Sequence, residues 1–503
     1  MIAIYLVGVT ALGVWLSRRT KSSADWAVGG GGMGIAMMAA GIAGTRIGGV
    51  GTYGVAGNVI TEGIWGMWYA FNTFLAMALV GFFYAVPYRR LKLSTVAEIF
   101  LRRFNSNRCT VLTSLCVQTE YLIVNILEPF LMGKILQQVA GISFGAGVAI
   151  SAAIIIFYTA AGGLRGTAAT NIIHCSTILI GLMIVGLMGM SKLGGWSGLT
   201  ESVNVALEAS GKSQASWWSI AGMGWGAVLA MFFSVTIHTP GASVYVNFAS
   251  SARTERTVLP AFLLAGLVAS IMPLLSGWIG MQTLATYGAD AKMASYQRIT
   301  QLATDLNPWV GGIAVAAILA ALISSAAPIL LASSTMFVND WLPFTRKFSS
   351  TARLRSYRIT TVIYGLIASL IAYKSENSLG SVLDLLLLGF AAVVPPAIAV
   401  GFLIYWRRTT EPGAFWGMAL GYGFGLAWWL VIQFAKADEL WQTGESGLLN
   451  TFFVADKGID PTYITTLVPL LAVPLISLMT RPDKEREAAF YATLAGVEAD
   501  AEA

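Results

Sequence analysis

Apolar residues fall in runs of about 20, the length that crosses a bilayer as a helix, and short polar segments separate them. Thirteen such runs are expected as spans: 1–17, 33–58, 66–87, 109–137, 143–161, 167–190, 220–249, 257–282, 309–337, 357–373, 377–405, 413–435 and 461–480. The pattern predicts an all-α polytopic membrane protein. The first run ends at Arg18-Arg19 without a small-residue cleavage site, so it reads as a span and not as a removable signal. Basic residues cluster in alternate loops, roughly 22 on one side against about eight on the other, which makes the richer side cytoplasmic. The N-terminus is therefore expected outside and the C-terminus inside, in a plasma (inner) membrane. The longer outer loops, near 191–219, 283–308 and 436–460, suit short surface helices, and the acidic tail after Arg481 reads as a solvated end.

Two spans are interrupted. Span two contains Ala43-Gly44-Thr45-Arg46-Ile47-Gly48-Gly49-Val50-Gly51-Thr52-Tyr53-Gly54-Val55-Ala56-Gly57, with six glycines and a permanently charged arginine. Glycine at that density unwinds a helix and frees backbone groups that hydrocarbon cannot satisfy. Span seven carries His238-Thr239-Pro240-Gly241 near its middle, where proline removes a donor and clashes with the preceding turn. The breaks lie five spans apart in order, the spacing of an inverted repeat of five helices plus five with paired discontinuous helices. A buried Arg46 beside such a break points to a transport site near the membrane midplane.

Composition narrows the class further. The 503 residues are 56% hydrophobic and 11% charged, whereas a soluble domain carries about 25% charged residues. The net charge of +6 is spread over membrane-flanking loops and gives no reason to expect nucleic acid. Cys109, Cys116 and Cys175 form no spaced pair, so neither a disulfide framework nor a zinc site is indicated. No attached soluble output module and no obligatory protein partner are expected. An embedded enzyme would need a nucleophile, base or metal cluster that the pattern does not offer, and a channel would need repeated pore loops.

Several motifs, taken in order, carry a resemblance to one known family. Ser17-Arg18-Arg19-Thr20-Lys21-Ser22-Ser23-Ala24-Asp25-Trp26-Ala27-Val28-Gly29-Gly30 resembles the segment joining an extra N-terminal helix to the core. Gly44-Thr45-Arg46-Ile47-Gly48-Gly49 is similar to the first core helix, nearest to the Ala-Thr-Trp-Val-Gly-Gly version of choline transporters. Tyr158-Thr159-Ala160-Ala161-Gly162-Gly163-Leu164 with Thr170-Asn171 resembles the family's Gly-Gly-Leu and Thr-Asp motifs. Ala320-Ala321-Leu322-Ile323-Ser324-Ser325, continuing to Asn339-Asp340-Trp341, resembles the eighth core helix, and Tyr405-Trp406-Arg407-Arg408 with Gly413, Ala414 and Gly417 resembles the junction after the tenth. Together these stretches resemble the sodium/solute symporter family, and the resemblance implies a LeuT-type 5+5 inverted repeat with one extra N-terminal and two extra C-terminal helices. Its parts would be residues 1–32, 33–219, 220–408 and 409–503.

It also implies a sodium-coupled symporter working by alternating access, and no enzyme. One Na+ would lie between the carbonyls of Gly44 and Ile47 and three groups of the eighth core helix: the Ala321 carbonyl and the Ser324 and Ser325 hydroxyls. Positions 321, 324 and 325 share a helix face, and neutral oxygens of this kind replace an ion's hydration shell. The family's Asp is Asn171 here, its following Gln is His174, and the hydroxyls of a second sodium site are replaced by Ala327 and Pro328. One ion is expected, not two.

Arg46 stands where choline transporters carry a cation-binding Trp. A guanidinium prefers carboxylate or phosphate, so the small organic solute is expected to be anionic or zwitterionic. Gly48 and Gly51 would help hold it, and Phe71, Asn72, Tyr121, Asn125, Ser234 and Ile237 are lining candidates from family positions. Two alternatives stay open. Arg46 pairs with Glu120 or Glu128 and only staples the bundle, or His174 and His238, carrying the side chain that in free form titrates near neutral pH, belong to a proton-coupled or uncoupled carrier.

Overall fold

The computed structural model describes residues 2–17, 20–289, 293–378, 382–434 and 460–496. Its longer helices, in chain order, are α1 (Ile2–Ser17), α2 (Ile35–Gly49), α3 (Val55–Glu62), α4 (Ile64–Leu91), α5 (Asn107–Ala140), α6 (Phe144–Lys192) and α7 (Gly195–Ala209). They continue with α8 (Gly224–Gly241), α9 (Ser243–Ser251), α10 (Glu255–Tyr287), α11 (Ser295–Leu306), α12 (Pro308–Trp341) and α13 (Ser350–Lys374). The last four are α14 (Val382–Tyr405), α15 (Glu411–Phe434), α16 (Pro461–Met479) and α17 (Lys484–Ala495). Polar residues at the loop ends start several of them. Ser106, Ser143, Asn307, Ser349 and Asp460 each accept a hydrogen bond from a first-turn amide, which satisfies donors that a helix start leaves unpaired.

Among the described residues, nine helices are long and apolar enough to cross a membrane, or ten if the bent pair α8–α9 is one span. The expected count of thirteen is not fixed by this measure, and the difference lies in three places. Helix α1 has 16 residues. The first broken span is divided between α2 and α3, of 15 and 8 residues. Helix α6 runs for 49 residues, roughly 74 Å at about 1.5 Å per residue, more than twice the roughly 30 Å hydrocarbon core. Its Gly163 is non-helical, at φ 60° and ψ −175°, between the expected spans 143–161 and 167–190. A Cβ there would lie 3.0 Å from the Trp26 backbone, so only glycine fits.

Helix α12 is the centre of the bundle. Its most apolar window is 94% buried, against 28% for α13 and for α15. Small residues permit this depth: a Cβ on Gly181 of α6 would lie 2.5 Å from Ala317 Cβ of α12, so the two helices approach as small-residue membrane interfaces do. Large apolar side chains such as Leu187, Leu366 and Leu471 are exposed on the outside, as lipid-facing surfaces require.

Both expected breaks are present. Helix α2 kinks at Gly48, at φ 45° and ψ −169°, just before its end, and a π-helical turn over Val50–Gly54 leads into α3. Helix α8 loosens into a π-helical turn over Phe233–Ile237, tightens at Thr239–Gly241, and bends 49° into α9. Freed backbone groups find partners: the Tyr88 hydroxyl donates to the Pro240 carbonyl at 2.5 Å, and the Val244 amide donates to the Tyr121 hydroxyl at 2.7 Å. The entrance to α2 is tied to the exit of α9, since Met33 donates to Ser251 and Arg253 donates to Met33, each at 2.9 Å.

The loops at 191–219 and 283–308 carry short helices, including α7 and α11; the loop at 436–460 lies almost wholly outside the described residues. The tail departs from the reading of a solvated end. Helix α17 buries Phe490, donates from Tyr491 to the Leu403 carbonyl at 2.8 Å, and places Glu487 3.7 Å from Arg103. Two adjacent aromatics in a charged helix give it an anchor that net composition hides.

Candidate functional site

The two breaks and α12 meet around one buried cavity of about 30 Å³. Its wall includes Arg46 and Gly48 of α2, Glu120 and Glu128 of α5, Tyr245 of α9 and Ser325 of α12.

Four of the five groups assigned to sodium are joined directly. The Ser324 hydroxyl lies 3.0 Å from the Gly44 carbonyl and 2.8 Å from the Ala321 carbonyl. The Ser325 hydroxyl is 3.3 Å from the same Ala321 oxygen. The Ile47 carbonyl, one turn on, accepts from the Val50 amide. Asn171 borders this set: its amide donates to the Ser324 carbonyl at 3.1 Å and to the Gly41 carbonyl at 3.3 Å. A Cβ on Gly44 would lie 2.4 Å from the Asn171 amide nitrogen, so glycine lets α6 approach the break. All these oxygens are neutral, and the hydroxyls turn back on their own helix carbonyls, so the donor set suits an alkali cation.

Gly48 is tightly enclosed. Its backbone lies in a region that is essentially glycine's own, and a Cβ would meet Glu128 Oε1 at 2.8 Å and Ser325 Oγ at 3.0 Å. Gly48→Ala is expected to destabilise the protein by about 2–3 kcal/mol, from about 1–3 kcal/mol of backbone strain plus the displaced carboxylate. A lower thermal midpoint in potassium buffer checks this.

Arg46 is 5% exposed. It donates to the Val235 carbonyl at 2.8 Å, within the turn that α8 loosens, and Nη1 lies 3.5 Å from His238 Nε2. Its guanidinium carbon stands 5.2 Å from the Phe390 ring centre and 5.7 Å from that of Tyr69, within cation–π range. The Nε–H has no partner. Among the described residues no ion pair joins Arg46 to Glu120 or Glu128; the arginine instead connects the first break to the second. Because Arg46 can only donate, His238 Nε2 accepts. His238 also stacks on Phe390 at 4.1 Å.

The other solute candidates are placed differently. Arg46 and Gly48 line the cavity; Gly51, Phe71, Asn72, Tyr121, Asn125, Ser234 and Ile237 are not in its wall. Phe71 is 52% exposed against Trp68. Asn72 is buried, and its carbonyl accepts from Thr236. Asn125 donates to the Tyr121 carbonyl and to Ser333, and Ser234 donates back to Met231. Tyr121 supports α9. Tyr121→Phe leaves the buried Val244 amide without its acceptor and is expected to cost about 1–3 kcal/mol, read as a lower thermal midpoint with or without sodium. His174 pairs with the Tyr5 hydroxyl between α1 and α6 and does not line the cavity.

Sequence reasoning did not assign Tyr69, Tyr245 and Phe390 to the cavity; it took Glu128 as a candidate partner for Arg46 on the helix face shared with Tyr121 and Asn125. The signal for Glu128 was a carboxylate inside an apolar span. Its partner, the Ser325 hydroxyl at 2.7 Å, is 197 positions away.

Residues 26–421 match the family described as the sodium:solute symporter family. A sodium/proline symporter of Staphylococcus aureus is 22% identical over 450 residues, 85% of either chain. Among solved structures, a Na+-coupled sialic acid symporter in a substrate-bound outward-open state superposes with a TM-score of 0.78 at 18% identity, covering 96% of this chain and 97% of that one. Mhp1, a nucleobase-cation-symport-1 family transporter in a closed conformation, gives 0.57 at 14% identity, over 93% and 98%. These likenesses carry the fold, which is of the LeuT type. With the family match spanning most of its length, the chain belongs to the sodium:solute symporter family, an integral membrane transporter family that couples solute movement to Na+.

Proposed function

We propose that this symporter imports a small carboxylate-bearing solute by alternating access, with Gly44, Ile47, Ala321, Ser324 and Ser325 holding one Na+ and Arg46 addressing the carboxylate. The observation that carries the reading is the Ser324 hydroxyl, set within 3.0 Å of the Gly44 and Ala321 carbonyls beside a cavity that contains Arg46. An ion at that junction would fasten the broken α2 to α12 and fix the break whose amides and arginine face the solute. Arg46 supports the choice of solute because its fork matches a carboxylate bidentately. A cavity of about 30 Å³ has room for water, not for an organic molecule, whose sites run to about 300 Å³ or more. Solute entry then requires the broken helices to part. The loop charges support an outside N-terminus and a cytoplasmic C-terminus.

The test is thermal stability of the purified protein in sodium or potassium, across small carboxylates, sugars and amines. A ligand present at about 100 times its Kd stabilises the folded state by about 2.7 kcal/mol. Sodium is expected to raise the midpoint, and a carboxylate to raise it further only when sodium is present. Equal midpoints in sodium and potassium, with a response to pH alone, would replace this reading by a proton-coupled one.

A further inference from the structure

We infer that the Glu128 carboxylate is the counter-charge of the coupling cation, acting on it through the Ser325 hydroxyl. The inference rests on the sodium reading above and adds a residue that the neutral ligand set lacks. Glu128 is 4% exposed. Its Oε1 accepts from Ser325 Oγ at 2.7 Å and from the Gly49 amide at 3.2 Å. Oε2 is buried with no partner. Among the described residues, no other carboxylate is hydrogen-bonded to any member of the proposed sodium set. The carboxylate is also fitted to the break: the space where Gly48 would carry a Cβ is filled by Glu128 Oε1 at 2.8 Å, and Oε2 lies 3.1 Å from that of Gly49, behind the Leu131 and Leu322 methyls at 2.6 and 2.8 Å.

Charge balance gives this placement a purpose. A cation enclosed by five neutral oxygens still carries its full charge in a medium of low dielectric, and buried charge persists only when compensated. Asn171 places an amide nitrogen, not an anion, beside Ser324. Three charged side chains line the cavity: Arg46, Glu120 and Glu128. With both carboxyls ionised, one positive charge against two negative ones leaves a net charge of minus one in the cavity, and Glu128 is the carboxylate hydrogen-bonded to the sodium set. One monovalent cation completes the balance. When Ser325 donates its proton to Glu128, its oxygen becomes a better electron donor and keeps its lone pairs free for the ion. Glu128 thus sets cation affinity without a direct place in the ligand shell.

The test uses the full-length protein in lipid nanodiscs, read by equilibrium 22Na+ binding and by the sodium dependence of the thermal midpoint. Glu128→Gln keeps the size and an acceptor for Ser325 but removes the charge. It is expected to raise the sodium concentration for half-saturation at least tenfold, while Glu128→Asp stays within a few-fold of wild type. Ser324→Ala tests the sodium set itself. If Ser324→Ala loses sodium binding and Glu128→Gln binds as wild type does, the counter-charge inference is wrong and the sodium reading stands. If wild type binds no sodium, both fall. A second readout covers poor folding of the glutamine variant: the infrared difference between sodium and potassium in wild type. It should contain a shifted carboxylate band that moves in Glu128→Asp. A difference spectrum without such a band overturns the inference.

Discussion

Arg46→Ala is expected to lower sodium-driven carboxylate uptake about a hundredfold while sodium still raises the thermal midpoint. Truncating one partner of a buried, hydrogen-bonded charge pair costs about 2–5 kcal/mol, and about 2.7 kcal/mol corresponds to a hundredfold loss. Two contributions must be separated. The guanidinium also ties the first break to the second, through the Val235 carbonyl and His238; alanine removes that tie and leaves the carbonyl with the Thr239 hydroxyl at 3.0 Å, a loss of about 0.5–1.5 kcal/mol for the hydrogen bond given up. That loss lowers the midpoint equally with and without solute. Loss of carboxylate recognition removes the further rise that solute produces. Arg46→Lys keeps the charge but not the planar fork, and is expected to raise KM about tenfold with kcat less affected. Uptake into proteoliposomes under an imposed sodium gradient measures both. If Arg46→Ala lowers stability but leaves KM unchanged, the arginine is a staple between the breaks and does not bind the solute.

The two breaks were legible because each follows from local chemistry. Proline at 240 and a run of six glycines cannot continue a regular helix in hydrocarbon. Which glycine turns was not legible. Only Gly48 of that run takes a positive φ, since the choice depends on Glu128 and Ser325 pressing from α5 and α12. The face shared by Ala321, Ser324 and Ser325 was readable from helical periodicity. The partner of Arg46 was not: a carboxylate was expected, and the structure supplies the Val235 carbonyl, released by a π-helical turn that no residue pattern announces. Helix periodicity tells which side chains face inward. It does not say which of several buried polar groups, more than a hundred positions away, will meet them.

The other large effect concerns the serines. Ser324→Ala is expected to raise the sodium concentration for half-maximal stabilisation at least tenfold, about 1.4 kcal/mol, and the Ser324→Ala, Ser325→Ala double variant to abolish the response. A hydroxyl on an ion is worth about 1.5–3 kcal/mol, more than a neutral hydrogen bond. Helix stability should change little, because each hydroxyl bonds a carbonyl within one turn of its own helix: Ser324 to Ala321, Ser325 to Ala321 and Leu322. For Ser324→Ala, which gives up only the one contact across to the Gly44 carbonyl, the midpoint in potassium should therefore stay near that of wild type, which separates a lost ion from a damaged bundle. The single changes are not expected to add, since Ser325 also donates to Glu128 and neighbouring sites couple. Ser325→Ala should be the more damaging in potassium as well, because it leaves that buried carboxylate short of a donor. If both single variants keep the sodium response of wild type, the ion binds elsewhere and the junction of α2 with α12 is only a packing contact.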